Sequence, residues 1–173
     1  MVSSNLPKKG LKDFLAIASA AKDLNLPLQF VLIGPINEHV KALKRDLPEN
    51  ISVLGYCNTP EQAFVHLDIL LNLSHFQESF GRTVAEAMLA AKPVICYRWG
   101  ALPELVENGS TGFLVHFRDI DGVVQRLNYL CNHPELIEEL GCYGQMIAIS
   151  RFSPEAFKHR LSDAYLSILP KAK

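Results

Sequence analysis

The segment Glu78-Ser79-Phe80-Gly81-Arg82-Thr83-Val84-Ala85-Glu86-Ala87-Met88 holds two carboxylates with seven residues between them, where an apolar run gives way to helical spacing. A helix start offers unpaired backbone N–H groups and a partial positive charge, both suited to a phosphate, and Gly81 is expected to let the backbone come close to one. Carboxylates beside such a cradle repel the phosphate itself. They are better suited to accept hydrogen bonds from hydroxyl-rich groups attached to it, a ribose and a hexose. A ligand that satisfies both requirements is a sugar nucleotide.

The residues that position this segment alternate between helical and strand periods with short connections, the rhythm of an α/β protein with a parallel sheet. Leu11, Phe14, Leu15, Ala18 and Ala21 recur at helical spacing within Gly10 to Leu24, ahead of an extended run from Gln29 to Ile33. A charged helix from Glu38 to Arg45 and a strand from Ile51 to Leu54 follow, then a short helix with Thr59 as N-cap and Pro60 at its first position. Asp68 to Leu73 has the near-continuous apolar character of a strand buried on both faces and leads into the glutamate segment. Beyond it come a helix with Val84, Ala87, Met88 and Ala91 on one face, a strand from Val94 to Tyr97, a loop from Trp99 to Glu104, and a last strand from Gly112 to Val115. The tail is predicted to be helical over Asp119 to Asn132, Pro134 to Ile149 and Ser153 to Leu169. In such sheets ligands bind beyond the carboxyl ends of the strands. Gly34, Gly55, Gly81 and Gly100 lie there, read as four places where the backbone can approach a ligand.

Composition bounds the chemistry. The 173 residues are 49% hydrophobic and 20% charged, enough to bury a full core as one domain. A net charge of −1 provides no electrostatic footprint for nucleic acid or an anionic membrane. Cys57, Cys96, Cys131 and Cys142 form no Cys-x-x-Cys pair and read as reduced thiols, and the six histidines lack helical zinc spacing, so no metal is expected. With neither a leader-like N-terminus nor an apolar run of membrane-spanning length, the expected location is cytoplasmic.

The stretch from Glu78 to Val115, with Glu-Ser-Phe-Gly-x4-Glu-Ala-Met, then Lys92-Pro93-Val94, then Gly100-Ala101-Leu102-Pro103-Glu104-Leu105-Val106, then Asn108-Gly109-x2-Gly112-Phe113-Leu114-Val115, resembles the donor-binding half of the group 1 retaining glycosyltransferases. Pro7-Lys8-Lys9-Gly10 resembles the Lys-Gly that follows the first strand of that family, and Phe152-Ser153 with Tyr165 resembles its C-terminal helix. The resemblance implies a Rossmann-like open parallel sheet of about six strands, with helices on both faces and a helical C-terminal tail. It implies a single donor-binding domain over residues 1–173, with the N-terminal acceptor domain absent and Met1 already inside the first strand. The implied activity is retaining transfer of a hexose from a nucleoside diphosphate sugar, UDP-sugar first and GDP-sugar next. The acceptor would be a carbohydrate or glycolipid met through the other domain, in polysaccharide or glycoconjugate biosynthesis, without a metal or cofactor. Alone, this chain is not expected to be catalytically competent. The alternatives are a non-catalytic nucleotide-sugar-binding module and a sugar-nucleotide epimerase on the same fold.

By the same resemblance Glu78 faces the hexose and the reacting centre, and Glu86 accepts hydrogen bonds from the ribose. Phe80, Gly81 and Arg82 match the turn whose amides meet sugar or diphosphate, with Thr83 beside it. Lys9 matches the lysine that neutralises the leaving diphosphate. Gly34 and Pro35 match the turn under the nucleotide, and Tyr56 and Cys57 lie where backbone groups meet the base. The chain departs from the pattern at Ser3 and Ser4, where the family carries an arginine, which leaves Lys8 as the candidate second cation. It departs again at Ser79, where glycine is commoner and serine is suited to an N-cap. Taken alone, Glu86 reads first as a solvated helix glutamate and Lys9 as a solvated lysine, Glu104 equally as a cleft residue or a solvated helix-start acid, and His75 as a local hydrogen-bonding group rather than a base.

Overall fold

The apolar runs pair as parallel strands. In the computed structural model, which describes residues 1–43 and 47–168, β1 (Phe30–Ile33) lies beside β2 (Ile51–Leu54), with Phe30 opposite Ile51 and Ile33 opposite Leu54. A second sheet has the order β3 (Leu70–Asn72), β4 (Val94–Tyr97), β5 (Gly112–Val115), with Leu70 opposite Val94 and Tyr97 opposite Val115. The described residues thus hold five strands in two parallel sheets, against an expectation of about six in one. Met1–Ser3 runs alongside β1, where the Ile33 N–H donates to Met1 O and the Ser3 N–H to Ile33 O. It contributes only an isolated bridge, Val2 to Ile33, because the left-handed Asn5 turns the chain away two residues later.

Strand side chains alternate between two apolar clusters, one on each face. Leu32, Leu71, Ile95, Tyr97, Phe113 and Val115 point to one side, where α1 (Leu11–Asp23) and α6 (Ile120–Asn132) pack. Ile33, Leu70, Val94 and Cys96 point to the other, against α3 (Pro60–Phe64), α4 (Arg82–Leu89), α5 (Leu102–Leu105) and α7 (Glu135–Phe152). Both faces of β4 are therefore dry, which explains its lack of polar alternation, whereas β2 at the edge leaves Ser52 exposed. Thr59 caps α3 by accepting from the Gln62 N–H, with Pro60 opening the helix.

Several boundaries differ from expectation, those of β1 and α6 by one residue at the start. β3 is three residues rather than six. Trp99 to Glu104, read as a loop, contains the start of α5, whose Leu102 and Leu105 are buried. α7 continues three residues past Ile149 before α8 (Pro154–Ile168) begins. α2 is described over Glu38–Leu43; the predicted end of that helix at Arg45, like the predicted end of the last one at Leu169, lies outside the described residues.

Candidate functional site

The carboxyl ends of β1, β2 and β3 and the start of α4 enclose a cleft of about 510 Å³. Its wall includes Gly34 and Pro35 after β1, Tyr56 and Cys57 after β2, and Glu78, Arg82, Thr83 and Glu86 at and within the start of α4. Lys9 enters from the short 3₁₀ turn Pro7–Lys9, which ends at the left-handed Gly10. Nine of the thirteen residues singled out from the sequence therefore meet in one place; Lys8, Ser79, Phe80 and Gly81 do not line it.

Lys9 and Glu78 form an ion pair through Nζ and Oε1, with both side chains about four-fifths out of solvent. Glu78 is fixed from behind. The Ala101 N–H donates to Glu78 O at 2.9 Å, and a Cβ at Gly100 would lie 2.7 Å from that same oxygen, so glycine is what permits the two loops to touch. The sequence marks Gly100 as a place for ligand approach; its open side is instead filled by Glu78.

Gly81 requires the same correction. It is the N-cap of α4 at φ 91°, and a Cβ there would meet Leu102 Cδ2 at 2.7 Å, so the absent side chain accommodates α5 rather than a ligand. At Gly34 the missing Cβ faces Ser3 O, which leaves Gly55, where a Cβ would meet nothing within 4 Å, as the one of the four whose side-chain space is free. The helix start itself remains available. Among the described residues the Arg82 and Thr83 N–H groups donate to no acceptor, and no side chain caps the helix. Ser79, expected as a possible cap, is exposed and takes no part in it. The Phe80 ring turns away from the cleft and packs edge-on against Phe152 at 5.3 Å.

The cations in the cleft wall, among the described residues, are Lys9 and Arg82. Lys8 places its ammonium over the Phe76 ring, 5.2 Å from the centroid, and is not the second cation of the cleft. Ser3 and Ser4 do border the cleft, at the position where the family pattern carries arginine. Glu86 is half-buried with no ion-pair partner within 4 Å among the described residues. Burial raises its carboxyl above the usual carboxylate range, Arg82 one turn earlier pulls it back, and Glu61 on α3 pushes it up again. It is a desolvated acceptor to which no side chain among the described residues donates. No group of three or more metal-ligating side chains occurs among the described residues, and no helix there is long and apolar enough to cross a membrane.

Sequence reasoning missed what holds Lys9 and Glu78 in place. His75 Nε2 donates to Asp13 Oδ2 at 2.7 Å, the Tyr97 hydroxyl donates to the same oxygen at 2.6 Å, and the His75 N–H donates to Lys8 O at 2.8 Å. The signal was present in Asp13, a single acid on the buried face of α1, where charge is rare without a partner.

Parallel strands with helices on both faces, and a cleft beyond their carboxyl ends, define a Rossmann-like α/β class of structure. The sequence profile of the glycosyl transferases group 1 family matches residues 1–146, and the chain belongs to that family. Among curated relatives, a trehalose synthase of Pyrococcus horikoshii is 32% identical over 149 residues, 78% of this chain and 35% of that protein. An N-acetyl-alpha-D-glucosaminyl L-malate synthase of Bacillus anthracis is 27% identical over 156 residues, 89% of this chain and 41% of that protein. Among solved structures, Anabaena HepE in complex with UDP and glucose superposes with a TM-score of 0.80 at 26% identity, covering 97% of this chain and 47% of HepE. The chain thus spans about half or less of the length of these relatives.

Proposed function

We propose that the chain is the donor-binding half of a retaining hexosyltransferase that takes a nucleoside diphosphate sugar, UDP-linked in the first instance, and passes the hexose to a carbohydrate or glycolipid acceptor presented by another domain. The observation that carries this reading is the convergence, on one cleft, of Lys9 paired to Glu78, the free amides of α4, and Glu86 with no donor among the described residues. Further support comes from the structures of HepE with UDP-glucose, a relative 25% identical to this chain.

In this reading Glu86 accepts from ribose hydroxyls and the diphosphate lies across the α4 amides toward Lys9. As the bond from the anomeric carbon to the diphosphate oxygen breaks, its electron pair stays with that oxygen. Lys9, Arg82 and the helix start stabilise the growing charge more in the transition state than in the ground state. Glu78, released from Lys9 by the incoming diphosphate, turns to the hexose hydroxyls and the positive charge developing at the anomeric carbon. The leaving group is neutralised by protein cations and amides, so the reaction is proposed to run without metal.

Calorimetric titration with uridine, guanosine and adenosine diphosphates, with and without magnesium, tests this. Saturable binding of UDP that is indifferent to magnesium, and weakened by about 1–3 kcal/mol in Glu86→Ala, is expected. Binding of none of the three, or an affinity that Glu86→Ala leaves unchanged, would overturn it.

A further inference from the structure

We propose that Asp13, His75 and Tyr97 form a positioning network for the diphosphate cation of the cleft, with His75 as the link that holds the Lys9 turn and the Glu78 loop in register. This inference rests on the reading of Lys9 given above and adds three residues, none of which is among those taken to contact the donor.

The network joins four pieces of chain: the Lys9 turn, the first turn of α1, the loop after β3 and the end of β4. Asp13 stands in the first turn of α1, where its charge complements the helix dipole, and it is buried. A carboxylate only accepts, so the two groups on its Oδ2 must both donate: the hydroxyl of Tyr97 at the end of β4 and Nε2 of His75 in the loop after β3. This fixes the His75 tautomer at Nε2. The ring is further held edge-on to Phe117, with centroids 5.6 Å apart. Its main-chain N–H then donates to Lys8 O, one residue before Lys9, while Glu78 lies three residues after His75. On the other side of Lys9, Gly10 rests against Leu73, with no room for a Cβ.

A lysine is a flexible point charge, and its placement is set by the backbone that carries it. Here that backbone is a three-residue turn whose buried support comes from His75 and Leu73. Burying a carboxylate and a histidine in an otherwise apolar face is costly unless every bond is made. The return is a fixed position for the cation opposite Glu78. The network should therefore act on the diphosphate and leave the nucleoside end of the cleft, formed after β1 and β2, untouched.

The test is the affinity of the full 173-residue chain for UDP and for uridine, the latter read by displacement of UDP, with melting temperature followed in each variant. In His75→Phe, which keeps an aromatic ring against Phe117 but loses the donor to Asp13, UDP affinity should fall by about tenfold. Uridine affinity should change by less than about twofold. His75→Gln, whose amide can donate to Asp13, should recover most of the loss. Tyr97→Phe should lower UDP affinity in the same selective manner and carries the test if His75→Phe does not fold. An equal loss for both ligands, or no loss for UDP, overturns the inference. Lys9→Ala separates the two levels. If it leaves the difference between UDP and uridine intact, the reading of Lys9 is wrong; if it abolishes the difference while His75→Phe and Tyr97→Phe do not, only the network fails.

Discussion

Glu86 pits stability against function within one side chain. Its carboxyl is raised above the usual range chiefly by burial, so the folded state holds a proton on it more tightly than the unfolded chain does. The sign follows: its contribution to stability is fully present in acid, is lost as pH rises through the unfolded and folded values, and at neutral pH the bare charge is unfavourable. Glu86→Gln keeps the shape and removes the charge. The ligand-free chain should then melt at a higher temperature at pH 7, with the gain vanishing in acid, while UDP affinity falls because a charge-assisted acceptor has become a neutral one. Thermal melts at pH 4 and pH 7 with a UDP titration check both halves; a variant that melts lower at pH 7 would mean that the carboxylate has a partner in the fold. This conflict was only half legible in the sequence. The spacing of Glu78 and Glu86 placed both at the start of a helix, but helical position alone left Glu86 on a solvated face, and its desolvation by the cleft follows from where α3 and the loops after β1 and β2 come to lie. Lys8 shows the reverse: its neighbour in sequence lines the cleft, yet one step along a 3₁₀ turn carries it to the far side, over Phe76.

Among the elements, β4 and β5 were the most legible, because a strand covered on both faces is apolar throughout. β2, β4 and β5 have the bounds predicted for them. α5 was not legible: four residues are too few for a periodic pattern, and its sequence Leu-Pro-Glu-Leu reads equally as a loop. That short helix decides the chemistry available at α4, since Leu102 and Leu105 press on Gly81 and hold the N-cap in its left-handed form. Arg82 and Thr83, the first two residues of α4, line the cleft, and the contact between Gly81 and α5 lies immediately before them. Gly81→Ala combines a Cβ at positive φ with a clash against Leu102, and should destabilise the chain by about 1–3 kcal/mol. The double variant with Leu102→Ala should cost less than the sum of the two singles, since the second truncation makes room for the first. Denaturant titration of the two singles and the double measures that coupling; strict additivity would show that Gly81 does not depend on α5.

For the molecule as a whole, the limiting fact is that the chain spans 35% of the trehalose synthase and 47% of HepE, while its own cleft is walled by one edge of one α/β domain. Every group proposed to hold the nucleotide lies on that edge, and Tyr56 at its rim is about three-quarters exposed. Among the described residues the cleft is open on the side away from the strands, and holding an acceptor hydroxyl against an anomeric carbon while excluding water is where a transferase gains much of its rate. Binding and transfer should therefore separate. With UDP at a hundredfold excess over its dissociation constant, mass action stabilises the chain by about 2.7 kcal/mol. For a domain of this size that raises the melting temperature by roughly 5–10 °C. The same chain given a UDP-sugar and simple sugar acceptors should release UDP no faster than the uncatalysed background. Adding the chain to a coupled assay for free UDP decides the matter: a melting shift without turnover fits a donor-binding half, whereas turnover by this chain alone would mean that one wall of the cleft suffices for the reaction.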